Sequence, residues 1–468
     1  MMAIRRYILE ITTVGPVHIG NGMRYGKKDY YANGNKIAVL DTRKFASRLN
    51  VQQMGRYCEF LKDTNNKFDL QGFLKNNPDL AKIADGSVAY RIDSPLATAR
   101  RGSIQYHDVW EFVKDPYGNP YIPGSSIKGM LRTAILLNIL LDGKEYRALL
   151  DGALDKRRGA DKVIMRKTLW KEQPDPCNQG VVNDILKYLS VADSSSLSTD
   201  DLVFVKKYDL FSKNDPADHK LNMRNLTLYE GNELDVYREC LRPGTNISVE
   251  IAIDERIDSY LNAPVLDDKG LCEVLQRQFD FYSSRFLSHF EQGQEESSVN
   301  DSSGDIQCRY VIQSGPLAGM RCRNHAVEGT GYCNKHMNEA SAGRSANDAI
   351  CYLGGGVDFL SKTVVSALFG SEEESVAAIS RILFDQFPTR IDRSIYSGLP
   401  DRVSRAGFDS KPMKAIYNRK TERLSKGKVD HRHWRDSELG VSPHTMKWGI
   451  IGKRRYPMGK CTICIREA

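Results

Sequence analysis

The chain is expected to be an α+β protein. Three observations predict this. Residues 7–13 alternate apolar and polar, as a half-buried strand does. Hairpin signals recur at residues 30–40 and 109–122, and a long apolar periodicity of the helical kind begins near Ser126. These strands and helices mix without steady alternation, which argues against a doubly wound parallel sheet.

The elements follow in order. After the first strand, residues 15–22 (Gly-Pro-Val-His-Ile-Gly-Asn-Gly) are too glycine-rich for regular structure. The hairpin at 30–40 turns at Asn33-Gly34, and Asp41 caps a helix beginning near Thr42. Residues 55–90 read as polar helices with a turn at Asn76-Asn77-Pro78. The hairpin at 109–122 turns at Asp115-Pro116-Tyr117-Gly118. A capped helix then runs from Ser126 to just before Gly143. Residues 237–253 open a new strand-rich stretch with a turn at Arg242-Pro243-Gly244, which places a domain boundary near 235.

Composition bounds the function. The chain has 468 residues, enough for two or three domains, and a net charge of +8. No run is apolar enough to span a bilayer, and no signal-peptide core is seen, so no membrane partner and a cytoplasmic location are expected. The positive charge concentrates in residues 390–435, where Tyr396, Phe408, Tyr417 and Trp434 are interleaved. Cations beside aromatics are a composition for single-stranded nucleic acid, and equally that of a solvated basic surface.

The most informative stretch is residues 120–133. Gly124 can take backbone angles that other residues avoid, and Ser125 or Ser126 can cap the helix. Lys128 and Arg132 lie one turn apart. Bare amides, a helix dipole and two cations converge where a phosphate could sit. If that is their role, removing both cations should lower RNA affinity while thermal stability stays near wild type.

Cys308, Cys322, Cys333 and His336 are spaced C-x13-C-x10-C-x2-H between two polar segments, with His325 as a possible substitute. Three thiolates and an imidazole make a closed tetrahedral set for structural zinc. The island spans residues 306–337 and has too few apolar residues to fold without metal. Cys461 and Cys464, three apart in a strand-like segment, face opposite ways and read as buried thiols. Residues 352–363 imitate a nucleotide-binding loop, but Ser361 stands where glycine is required. The better reading is a glycine loop feeding a second helix, with Lys362 one turn in. His18 could act as a general base, with His107 and Asp108 assisting, or Asp29 could hold a metal. The plainer reading of His18 is a polar loop residue that hydrogen-bonds backbone or RNA.

Together, residues 17–22 after the first strand and residues 121–133 before a helix resemble the RAMP superfamily of CRISPR-associated proteins. Residues 189–194, 237–239, 353–356, 361–363 and 442–447 narrow the resemblance to the guide-RNA 3′-end subunit of type III-A Csm effector complexes. It spans nearly the whole chain. It implies two ferredoxin-like (RRM-like) domains, over residues 1–235 with helical insertions and over residues 236–468 carrying the zinc insertion. It implies a subunit that binds the 3′ part of the CRISPR guide RNA, caps the complex and supports guide-RNA maturation. Its partners would be other Csm subunits, especially the repeating backbone subunit, and a host ribonuclease. Gly124, Ser125, Ser126, Lys128 and Arg132 carry over as RNA-binding positions, together with His18, Gly20, Asn21, Lys362 and Lys447. No catalytic residue carries over. The alternative is an endoribonuclease that trims guide RNA itself. The cysteine island is an addition to the family pattern.

Overall fold

Alternation along the first strand, β1 (Ile4–Thr13), becomes alternation of burial: Tyr7, Leu9, Ile11 and Thr13 are buried, and Arg6 is exposed. The structure, a computed structural model, describes residues 3–63, 69–94, 108–142, 164, 168–170, 183–214, 221–222, 227–228, 231–261, 264–290, 348–355, 363–386, 436–452 and 454–468. The cysteine island, Lys362, His107 and the basic segment 390–435 lie outside these residues.

The first half of the chain carries β2 (Gly20–Tyr25), β3 (Tyr30–Asn33), β4 (Lys36–Leu40), β5 (Val88–Asp93), β6 (Val109–Phe112), β7 (Leu189–Val191) and β8 (Leu202–Phe211). Two short strands, β9 (Leu221–Asn222) and β10 (Thr227–Leu228), pair with each other. Then come β11 (Gly231–Leu241), β12 (Asn246–Asp254), β13 (Asp348–Tyr352), β14 (Thr445–Ile451), β15 (Arg454–Pro457) and β16 (Lys460–Glu467). The helices used below are α1 (Thr42–Ala46), α2 (Val51–Lys62), α3 (Leu70–Asn76), α4 (Pro78–Asp85), α5 (Gly124–Asp142), α6 (Asp268–Arg285) and α7 (Glu372–Gln386).

Local signals placed their elements well. The β3–β4 hairpin turns at Gly34 with φ +64°, and the Asp41 carboxylate accepts from Lys44 N–H at the start of α1. Pro78 sits in the first turn of α4, after the turn at Asn77. Gly244, with φ +90°, makes the turn between β11 and β12. Cys461 is buried and Cys464 only half-buried, on opposite faces of β16. The imitation of a magnesium-binding strand at residues 381–385 lies within α7.

Two expectations shift. Asp115 accepts from the Tyr117 and Asn119 amides to build the turn after β6, but the return arm is one bridge, Lys114 with Pro120. Prolines at 120 and 123 cannot donate to a ladder. The expected boundary at 235 falls inside β11, and strands from both sides of it share both sheets.

The five-stranded sheet runs β13-β16-β1-β12-β7, antiparallel throughout. The first and last strands of the chain are therefore neighbours. One face buries Leu9, Ile11, Ile247, Val249, Ile463 and Ile465 against Ile127, Leu131 and Ile135 of α5 and Leu271 and Leu275 of α6. Buried Asn138 of α5 ties the two helices together by donating to Val274 O of α6 at 3.0 Å, and it also donates to Ala134 O of its own helix at 2.9 Å. On β1, β12 and β16 the other face is polar, with Arg6–Glu250 and Arg466–Glu10 ion pairs and no aromatic ring.

A nine-stranded sheet contains the path β2-β6-β11-β8-β5-β4-β3, with β14 and then β15 branching from β8. Helices α1 to α4 pack a satellite core of Phe45, Tyr57, Phe60, Leu70, Leu74 and Leu80 against β3 and β4.

Candidate nucleic-acid interface

Helix α5 begins at Gly124, two residues before the expected Ser126, because the chain there lies directly on the segment after β7. A side-chain carbon on Gly124 would stand 2.4 Å from Val191 O and 2.6 Å from Ala192 O. Only glycine fits that approach. The Gly124 N–H donates to the Asp193 carboxylate at 2.7 Å. A carboxylate of the protein thus takes a place at the helix N-terminus that the sequence offered to phosphate. Ser125 is exposed and Ser126 half-buried, and Ser126 N–H is bonded to Pro123 O.

The two cations of α5 face the same segment. Lys128 Nζ donates to Leu189 O at 2.7 Å, and burial followed by the nearby Arg132 charge lowers its pKa. Arg132 donates to Asp184 at 2.6 Å, and Asp184 in turn caps a short helical turn by accepting from Leu186 N–H. Both cations therefore help hold α5 to residues 184–193. The expectation that removing them leaves stability near wild type does not survive this geometry, because hydrogen bonds to charged groups contribute about 1.5–3 kcal/mol.

The second cluster joins two glycine-rich loops that the sequence shows far apart. His18 is buried, and its Nδ1 lies 2.7 Å from Glu239 O. Gly354 has φ +89°, and a side-chain carbon there would stand 2.4 Å from His18 O. Gly355 N–H donates to His18 O at 2.7 Å, and Arg238 Nη1 reaches Gly355 O at 3.4 Å. Gly20 follows on exposed β2. Asn21 is exposed, donates to Glu111 at 3.1 Å and accepts from Met23 N–H.

His18 is poorly placed as a general base. Burial, then the Arg238 charge, lowers its pKa to about 4, against a partial opposing effect of the Glu239 carbonyl. It is neutral at pH 7. The fold therefore loses stability as pH falls from about 6.5, where the unfolded histidine protonates, towards 4, and keeps all of it above 6.5. The expected loss from this residue is up to about 3 kcal/mol. Urea unfolding at pH 7.5 and pH 4.5 should show a smaller drop in His18→Gln than in wild type; equal drops would refute this role. Asp29, the other nuclease candidate, accepts from Gly26 N–H at 2.8 Å and closes a turn. Asp108 pairs with Arg24 at 3.0 Å. Among the described residues no group of three His, Cys, Asp or Glu side chains is placed to hold a metal.

Beneath His18 lies a buried network around Glu239, a residue the sequence offered only as part of the resemblance at residues 237–239. The Glu239 carboxylate, fully buried, accepts from Tyr25 Oη at 3.0 Å, Tyr90 Oη at 2.7 Å, Phe112 N at 2.9 Å and Lys114 Nζ at 2.6 Å. Burial, then the Glu239 charge, raises the pKa of both tyrosines.

Lys447 is positioned by a second buried carboxylate. Asp436 accepts from Ser442 Oγ at 2.6 Å and is 2.6 Å from His444 Nδ1, which fixes the segment leading into β14. Lys447 Nζ then lies 2.8 Å from Asp209 on β8.

Known proteins resemble this chain in sequence or fold. A CRISPR system Cms protein Csm5 of Mycobacterium tuberculosis (strain ATCC 25618 / H37Rv) is 27% identical over 480 residues, covering 99% of each chain. One of the same name from Streptococcus thermophilus is 29% identical over 259 residues, 53% of this chain and 64% of that one. A chain from the cryo-EM structure of a Csm-crRNA-target RNA ternary complex of a type III-A CRISPR-Cas system has the same fold, at TM-score 0.52 and 18% identity over 98% of this chain and 100% of that one. The RAMP superfamily profile matches residues 10–290, the stretch that holds the end of β1, the His18 loop, the whole of α5 and the Glu239 network. That span is more than half of the 468 residues, and by it the chain belongs to the RAMP superfamily.

Proposed function

We propose that this chain is the Csm5 subunit of a type III-A CRISPR effector complex. In this role it binds the 3′ part of the guide RNA, caps the complex beside the repeating backbone subunit, and supports guide-RNA maturation without cutting RNA itself. The observation that carries the reading is the match to a Csm5 over 99% of both chains. The neutral, buried His18 speaks against the endoribonuclease alternative.

The fold suits the role. In the order β16-β1-β12-β7, with α5 and α6 on one face, the strands follow the ferredoxin-like sequence 4-1-3-2. A second ferredoxin-like unit would be built within the nine-stranded sheet. The polar outer face of β1, β12 and β16 lacks rings to stack bases, so recognition runs through phosphates and backbone amides and positions RNA without reading it. Exposed Gly20, Asn21 and Ser125 offer such contacts, with Lys362 and Lys447 as cations. A host ribonuclease would trim the guide end, and the complex would work in the cytoplasm.

Cys308, Cys322, Cys333 and His336 would hold one structural zinc ion, with stability or partner docking as its use. Pull-down of the tagged chain from its own cells tests both readings. Repeat-spacer RNA together with other Csm subunits is expected, and the absence of both would overturn the function. The same preparation should hold about one zinc per chain, lost in Cys322→Ser with Cys333→Ser; a metal-free wild type would overturn the zinc site.

A further inference from the structure

Three cations gather on one face of the nine-stranded sheet. The register sets them there. Arg238 of β11 lies opposite Val205 of β8, and Lys447 of β14 lies opposite Asp209. Val205, Lys207 and Asp209 alternate onto the same face of β8. Lys447 Nζ is 2.8 Å and Lys207 Nζ 3.7 Å from the same oxygen, Asp209 Oδ1. Arg238 reaches over to the Gly354-Gly355 loop, and its buried Nε has no hydrogen-bond acceptor among the described residues.

This arrangement is unbalanced. Asp209 can neutralise one cation, and Lys447 is the nearer. Among the described residues Lys207 and Arg238 remain as excess positive charge, with the Lys207 side chain only 19% exposed. Burial, followed by repulsion from Lys447, lowers the Lys207 pKa to about 8, with Arg238 adding to the effect and Asp209 opposing it. A purely structural network would gain by replacing Lys207 with an apolar residue, because a half-buried unmatched charge is destabilising. An incoming anion removes the imbalance. Lys447, at 29% exposure, leaves the cluster open to solvent.

We infer that Lys207, Arg238 and Lys447 form a binding site for a backbone phosphate of single-stranded RNA, beside the Gly354-Gly355 loop. The inference rests on the RNA-binding reading above and adds its location. Asp209 holds the two lysines in place when the site is empty and competes with the phosphate when it fills.

The two sides of this balance give opposite signs. The full chain would be titrated with repeat-derived guide RNA at several salt concentrations. Lys207→Met keeps the Lys447–Asp209 pair. It should weaken binding about 5–10-fold, reduce the salt slope by about 0.7, and melt no lower than wild type. Asp209→Asn should tighten binding about 2–5-fold by removing the competing anion. Wild-type slope in Lys207→Met, or weaker binding in both variants, would overturn the site while leaving the RNA reading intact. A wild-type chain that binds no guide RNA, alone or with its Csm partners, would overturn both.

Discussion

Glu239→Ala is expected to lower the stability of the fold by about 3–5 kcal/mol. The carboxylate is fully buried and serves four donors, two of them phenols and one an ammonium whose side chain is 8% exposed. Removing it strands a charge and leaves Phe112 N–H and the two hydroxyls short of an acceptor. Lys114 keeps contacts to Glu111 at 3.2 Å and to Tyr90 Oη at 3.0 Å, but the first is half-exposed and the second is neutral. Unfolding in urea, followed by circular dichroism, would measure the loss. The double variant Glu239→Ala with Lys114→Met should recover at least about 1 kcal/mol, since it removes the unpaired cation. A single variant within about 1 kcal/mol of wild type would show that water replaces the carboxylate at little cost. The effect reaches the candidate interface, because the backbone of Glu239 accepts from His18 and so holds the loop on which Gly354 and Gly355 rest.

Gly124→Ala should cost about 2–4 kcal/mol, while Gly129→Ala, in the same helix and the same motif, should stabilise by about 0.5–1 kcal/mol. At Gly124 the added carbon meets three backbone atoms of Val191 and Ala192 within 2.8 Å, and backbone cannot rotate away as a side chain can. Helix α5 must lift from the 191–193 segment, which also strains the Gly124 N–H bond to Asp193 and the Lys128 bond to Leu189 O. At Gly129 nothing lies within 4 Å, so alanine brings only its higher helix propensity. Thermal melts of the two variants decide the matter. Shifts of the same sign would mean that α5 does not lie on β7 as closely as described.

The pair shows how the sequence divides from the structure. Both glycines stand in one motif, Gly124-Ser-Ser-Ile-Lys-Gly129, and local reasoning gives no measure of how differently they tolerate a side chain. It predicts the helix correctly because Ile127, Leu131 and Ile135 recur on one face, and all three are buried. It predicts cations on that helix, which is also correct. It cannot tell that Lys128 and Arg132 are engaged by Leu189 O and Asp184, residues that follow the helix only after a long intervening stretch.

What the sequence by itself determined is what backbone preference and short-range periodicity decide. The turn at Gly34, the cap at Asp41, the break at Asn77-Pro78, the turn at Gly244 and the opposed faces of Cys461 and Cys464 all lie within a few residues of the signals that announce them. Its motifs also pointed to the RAMP superfamily. Only the tertiary structure decided that β1 lies between β12 and β16, that β11 runs through the expected boundary, and that His18 and Gly354 touch. It also decided that Lys207, unremarked in sequence, and Arg238, seen there only within residues 237–239 of the resemblance, stand beside Lys447 on one face. The physical reason is that strand pairing and register follow from burying all apolar faces at once, a condition on the whole chain that no local window contains.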